Sequence, residues 1–137
     1  MGFDPRPRQM VLDTSTIVAL VLKEPGHERL AVQIDQAREV LVGAPSVVEA
    51  AMVLSSRMRQ DARPVLQVLL RQVRAQVVPF DDDHVWAATA AFLRFGRGRH
   101  AAALNFGDCM SYAVASIAGQ PLLYTGDDFS KSDIPSV

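Results

Sequence analysis

Four acidic positions carry most of the chemistry this chain can offer. Asp13, Glu49, Asp108 and Asp127 each interrupt an apolar context at the end of an expected strand or the start of an expected helix. Carboxylates gathered in a low dielectric repel one another, and they stay ionised together only if a cation neutralises them. Hard oxygen donors favour Mg2+, with Mn2+ as the alternative ion. Each acid also has a purely structural use. Asp13 precedes Thr-Ser-Thr and can cap a helix. Asp108 lies three residues after Asn105, the spacing of a reciprocal cap. Asp127 and Asp128 sit in a glycine turn, where Asp bonds its own backbone. Glu49 is the hardest to assign to structure alone, because Val47, Val48, Ala50, Ala51 and Met52 surround it and an acid in such company is paired or functional once buried.

Positioning four distant acids at one rim requires a particular architecture. Short β-type runs alternate with longer helical ones after Met10, the pattern of an α/β domain with a mainly parallel sheet. Strands are expected at Met10 to Asp13, Glu39 to Ala44, Gln76 to Phe80 and Pro121 to Tyr124. Helices are expected at Thr14 to Leu22, His27 to Ala37, Val47 to Arg59, Arg63 to Arg74, Asp82 to Phe95 and Asn105 to Ala118, the last ended by Gly119. Val65, Leu66, Leu69, Leu70 and Val73 recur at helical spacing, so the third and fourth helices should form a hairpin. Asp81 to Asp83 read as a helix start, with Trp86 packing behind it. In open parallel sheets ligands bind beyond the carboxyl ends of the strands, where Asp13 and Asp127 both fall.

Composition removes several alternatives. The chain has 137 residues, 49% of them apolar, enough for one core, so residues 10–137 are expected to form a single domain. Residues 1–9 read as a flexible leader or a start-site extension. The formal charge is −1, so any grip on nucleic acid must be local. Lys23 and Lys131 are the only lysines among 14 Lys and Arg, leaving 12 arginines, whose planar fork suits phosphate. A single cysteine, Cys109, excludes an internal disulfide or a zinc ribbon and fits the cytoplasm. No apolar run approaches the roughly 18 residues of a membrane span.

The stretches VLDTSTIVALVLKEPG, APSVVEAAMVL, RFGRGRHAAALNFGDCMSYAVA and PLLYTGDDF cover nearly all of the chain after its first residues. In these segments the sequence resembles the PIN-domain family, and within it the VapC toxins of bacterial toxin-antitoxin pairs. The resemblance implies a three-layer α/β/α sandwich and a metal-dependent endoribonuclease. It also implies an RNA substrate, a VapB-type antitoxin and a homodimer. It puts the metal on Asp13 and Asp108, with Glu49 and Asp127 completing the pocket and Asp128 the alternative to Asp127. Ser15 and Thr125 match positions where the family places a hydroxyl near the acids.

An acidic pocket repels RNA, so cations must border it. Arg94, Arg97, Arg99 and His100, spaced by glycine just before the last helix, are the candidate phosphate grip. The bland counterpart is a solvated helix end. Two other readings compete with the nuclease. An aspartyl phosphatase needs a second acid where Ser15 stands and a placed lysine that is missing. A PIN-like fold without turnover would only bind its target.

Overall fold

The computed structural model describes residues 9–137. Four parallel strands form the sheet: β1 (Gln9–Leu12), β2 (Glu39–Gly43), β3 (Ala75–Val78) and β4 (Leu122–Leu123), in the order β3-β2-β1-β4. Six helices alternate with them: α1 (Thr14–Leu22), α2 (His27–Asp35), α3 (Ala44–Met58), α4 (Arg63–Gln72), α5 (Asp82–Phe95) and α6 (Phe106–Ala118). β1 starts at Gln9, one residue before the expected Met10, and the remainder of the expected leader lies outside the described residues.

Alternation along the strands separates the two cores, because successive side chains leave opposite faces of a sheet. Met10, Leu12, Val40 and Val42 point into a core closed by α1, α2, α3 and α4, where Ile17, Leu30, Leu54 and Leu66 are buried. Val11, Leu41 and Leu122 point the other way, toward α5 and α6, against Phe95, Leu104 and Val114. This is the three-layer α/β/α sandwich. β1 and β2 are central and apolar on both faces, as parallel strands covered on both sides must be. β3 is an edge strand with exposed Gln76 and Val77.

The opposite edge does not end at β4. Leu122 N–H donates to the Pro135 carbonyl and Val137 N–H to that of Leu122, so the last residues run parallel beside β4 and satisfy its outer groups. Arg94 Nη1 and the Tyr112 hydroxyl both bond the Asp133 carboxylate and tie this segment to α5 and α6.

Helix ends follow local chemistry. Pro45 and Pro64 stand in the first turns of α3 and α4, and Gly119 adopts the left-handed conformation that closes α6. Asp81 caps α5 in a reciprocal box with His84, as the aspartate run suggested. Trp86 does not pack: it is 69% exposed, because in α5 the inward face belongs to His84, Ala88, Ala91 and Phe95.

Candidate active site

Asp13 follows β1 and caps α1, so the structural and chemical uses of this residue coincide. Its backbone N–H donates to the Leu123 carbonyl at 3.0 Å, fixing it where β1 and β4 end together. The residue is only 5% exposed, and both of its carboxylate oxygens are engaged. Oδ2 accepts from Ser15 N–H at 3.0 Å and from the Ser15 hydroxyl at 2.6 Å. Oδ1 accepts from the Ser111 hydroxyl at 2.6 Å.

Asp108 lies in the first turn of α6, where Asn105 Oδ1 accepts its N–H at 2.8 Å and its Oδ2 accepts the Asn105 N–H at 3.0 Å. This is the expected reciprocal cap, and it leaves the second carboxylate oxygen free of it. Burial, with only 8% of the residue exposed, pushes the Asp108 carboxyl up to about 7. The Asn105 N–H bond opposes that rise, whereas the negative charges of Asp13 and Asp128 and a hydrogen bond with Asp128 add to it. Three acids from far-apart stretches of chain therefore act on one another here. They form a pocket with more negative charge than it can hold ionised alone.

Asp128, not Asp127, is the member of the turn pair that reaches Asp108. Asp127 is exposed and uses its carbonyl to accept from Ser130 N–H and Oγ. Phe129 is buried against Tyr124 and begins a short 3-10 turn, which anchors the chain directly after Asp128, itself exposed like Asp127. Thr125 is exposed, and its N–H donates to the Ser15 hydroxyl at 3.1 Å, so position 125 enters the network through its backbone.

Glu49 occupies the second turn of α3, partly buried, with its carboxylate against the α-carbon of Gly107. A β-carbon at position 107 would overlap both carboxylate oxygens, so only glycine lets Glu49 lie beside the first turn of α6. Gly107, Ser46 and Ser111 are the site residues that sequence reasoning missed. The one signal for Ser111 was its position three residues after Asp108 on the same helix face.

The four side chains of the cationic loop are all exposed and differ in their partners. Arg94 is committed to Asp133 at 3.0 Å and stacks over the Phe95 ring, and His100 Nδ1 accepts from Ala102 N–H at 3.0 Å. These bonds brace the segment, and both side chains are nonetheless exposed like the other two of the expected four-residue grip. Arg97 and Arg99 remain exposed, with the Arg99 guanidinium over the Phe92 ring. Hydrogen bonds from Arg97 N–H to the Leu104 carbonyl and from Leu104 N–H to that of Phe95 close the loop at its base.

A family model for the PIN domain matches residues 10–134. The chain belongs to the PIN-domain family. This PIN domain is 44% identical over 126 residues to Ribonuclease VapC36 of Mycobacterium tuberculosis, covering 91% of each chain. It is 41% identical over 130 residues to Ribonuclease VapC of Mycolicibacterium smegmatis, covering 93% of this chain and 99% of the other. Among solved structures, Mycobacterium tuberculosis VapC20, titled a Sarcin-Ricin loop cleaving toxin, superposes with a TM-score of 0.76 at 18% identity. That match covers 93% of this chain and 98% of the other. VapBC2 from Rickettsia felis, bound to a DNA fragment from its promoter, superposes with a TM-score of 0.69 at 12% identity, over 94% and 97% of the two chains. At these identities the superpositions speak for the fold.

The donor set of this PIN domain suits a divalent ion of the hard class. Its grouped oxygens are carboxylates, and a dipositive charge would offset both the burial and the repulsion that raise Asp108. Among the described residues no three or more His, Cys, Asp or Glu side chains are arranged to enclose an ion by themselves.

Proposed function

We propose that this PIN domain is a VapC-type endoribonuclease that hydrolyses RNA phosphodiester bonds with Mg2+ and is restrained by a VapB-type antitoxin. The observation that carries the reading is the approach of buried Asp13 and Asp108 and exposed Asp128 to one another, with burial first and the two neighbouring negative charges after it holding the Asp108 carboxyl up at about 7. Relatives over 40% identical across nine-tenths of the chain are named ribonucleases, which supports the same chemistry.

Asp13 and Asp108 would hold the ion, and Mn2+ would substitute. When bound, such an ion supplies the positive charge that polarises a scissile phosphate and acidifies a water. The chain's own residues do the remaining work. Ser15 holds Asp13 in place, and the Asn105 cap holds Asp108. Glu49, or the Asp127–Asp128 pair, orients the attacking water and accepts its proton. The water oxygen bonds to phosphorus while the bond to the 3′ oxygen breaks, and the departing 3′ oxygen takes a proton from solvent, leaving a 5′ phosphate and a 3′ hydroxyl. Arg97 and Arg99 hold phosphates on either side of the cut against the repulsion of the acids.

Exposed Val48 and Met52 on α3 and Val65 and Val68 on α4 give the helical hairpin an apolar outer surface. Such a surface suits a partner segment or a second copy of the chain in a homodimer. The buried Cys109 and the lack, among the described residues, of a helix able to cross a membrane are compatible with action in the cytoplasm.

Replacing Asp13 or Asp108 with Asn tests the reading directly. Each variant should keep its circular dichroism spectrum and lose cleavage of a mixed tRNA, rRNA and mRNA pool by more than about a hundredfold. Cleavage at the wild-type rate in either pure variant overturns the site. RNA binding without cleavage by the wild-type chain in Mg2+ or Mn2+ would instead identify a silent binding module.

A further inference from the structure

Two serine hydroxyls bond the first acid, and one of them comes from a distant helix. Ser15 belongs to the same turn as Asp13, so its bond is local. Ser111 is on α6, 98 positions away, and is 1% exposed. Its hydroxyl also lies 3.0 Å from that of Ser46, itself buried in the first turn of α3. An ionised carboxylate only accepts, so the single Ser111 proton goes to Asp13 Oδ1, and the Ser46 proton must go to Ser111. The polarity of the chain is thereby fixed, from Ser46 to Ser111 to Asp13. The Ser46 carbonyl in turn accepts from the Thr14 hydroxyl at 3.2 Å, which returns to the residue after Asp13.

Helical spacing gives the chain its significance. Ser111 is three residues beyond Asp108, and Ser46 is three residues before Glu49, each on the face of its acid. The relay therefore joins the three elements that carry Asp13, Glu49 and Asp108. We propose that Ser111, braced by Ser46, is a positioning residue that sets the rotamer of Asp13 for cation binding and keeps the three acid-bearing elements in register. This rests on the metal reading above and adds the residue that organises its first ligand.

The test is titration of the purified full-length chain with MnCl2 alone, followed by calorimetry and by electron paramagnetic resonance of free Mn2+, neither of which requires turnover. Ser111→Ala should weaken Mn2+ binding by between about tenfold and a hundredfold, the usual cost of removing a group that orients a ligand. Ser111→Cys keeps the volume with a weak donor and should bind as poorly, while Ser111→Thr keeps the donor and should recover most of the affinity. Ser46→Ala, with Ser111 in place, should lose affinity by a smaller factor, and this variant decides the matter if a substitution at 111 unfolds the chain. Wild-type affinity in Ser111→Ala and Ser46→Ala overturns the inference, as does recovery by Ser111→Cys, which would mean packing alone. A wild-type chain that binds no Mn2+ overturns the metal reading as well, whereas binding unaltered by these substitutions overturns only the role of Ser111.

Discussion

Glu49 and Gly107 show how one residue sets what another can do. The Glu49 carboxylate occupies the space a side chain at 107 would fill. Gly107→Ala forces that carboxylate to swing away, and because it is the end of a flexible side chain, the displacement costs little in folding. A gain in helix propensity of up to about 1 kcal/mol offsets it. Thermal unfolding of the variant should thus match the wild type within about 1 kcal/mol while RNA cleavage falls on the order of a hundredfold, as for a misplaced catalytic group. Parallel loss of stability and activity, measured by a melting curve beside a cleavage assay, would mean that position 107 is merely structural. The acids themselves were visible in the sequence because a carboxylate amid apolar neighbours is conspicuous. Asp127 and Asp128 could not be separated, since a turn can present either one and only the folded turn brings Asp128 to Asp108. Ser111 was missed for a related reason: its spacing from Asp108 was the one signal, and a serine in an apolar helix gains meaning only once its partner from another element is known.

Elements were legible where local chemistry fixes their ends. α1 and α5 occupy the expected residues, the one capped by Asp13 and the other by Asp81. Strand limits moved more, and β4 shrank to Leu122–Leu123, because pairing partners and not propensity determine where a short strand stops. Trp86 was misread because aromatic size suggests burial, yet the helix rotation set by Ala88 and Ala91 turns it outward. The segment from Gly96 to Leu104 is a closed loop carrying the exposed Arg97 and Arg99. Exchanging both arginines for Glu should weaken RNA binding and flatten its dependence on salt, by roughly 0.7 in the log-log slope for each single-strand phosphate that is no longer neutralised. Filter binding across a salt series measures this, and an unchanged slope would remove the loop from the RNA path. Arg94→Ala should act differently, loosening the Asp133 tie more than the slope.

At the scale of the molecule, the α/β/α layering was legible from alternating strand and helix signals, whereas the closure of the β4 edge by residues near Pro135 was not, since no periodicity announces a segment of that length. Global stability should register the crowding of the acids. Asp108 is raised from 3.8 to about 7, so between those values the folded chain holds a proton that the unfolded chain releases. The resulting stabilisation is complete below the unfolded value and is lost as pH climbs through about 7, with an upper bound of about 4 kcal/mol. Unfolding in EDTA should become easier from about pH 5 to about pH 7.5, Asp108→Asn should flatten that trend, and Mg2+ should abolish it; equal slopes for wild type and variant would refute the assignment. The order β3-β2-β1-β4 carries one more consequence, for biosynthesis. β1 pairs with β4 from the far end of the chain, and Asp13 meets its helix α6 partners only at that late stage. Such long-range closure is slow and cannot be rehearsed by fragments. A ribosome-bound or proteolysed chain lacking α6 is thus harmless to the cell that makes it, and cutting power arrives in a single step with the completed tertiary structure.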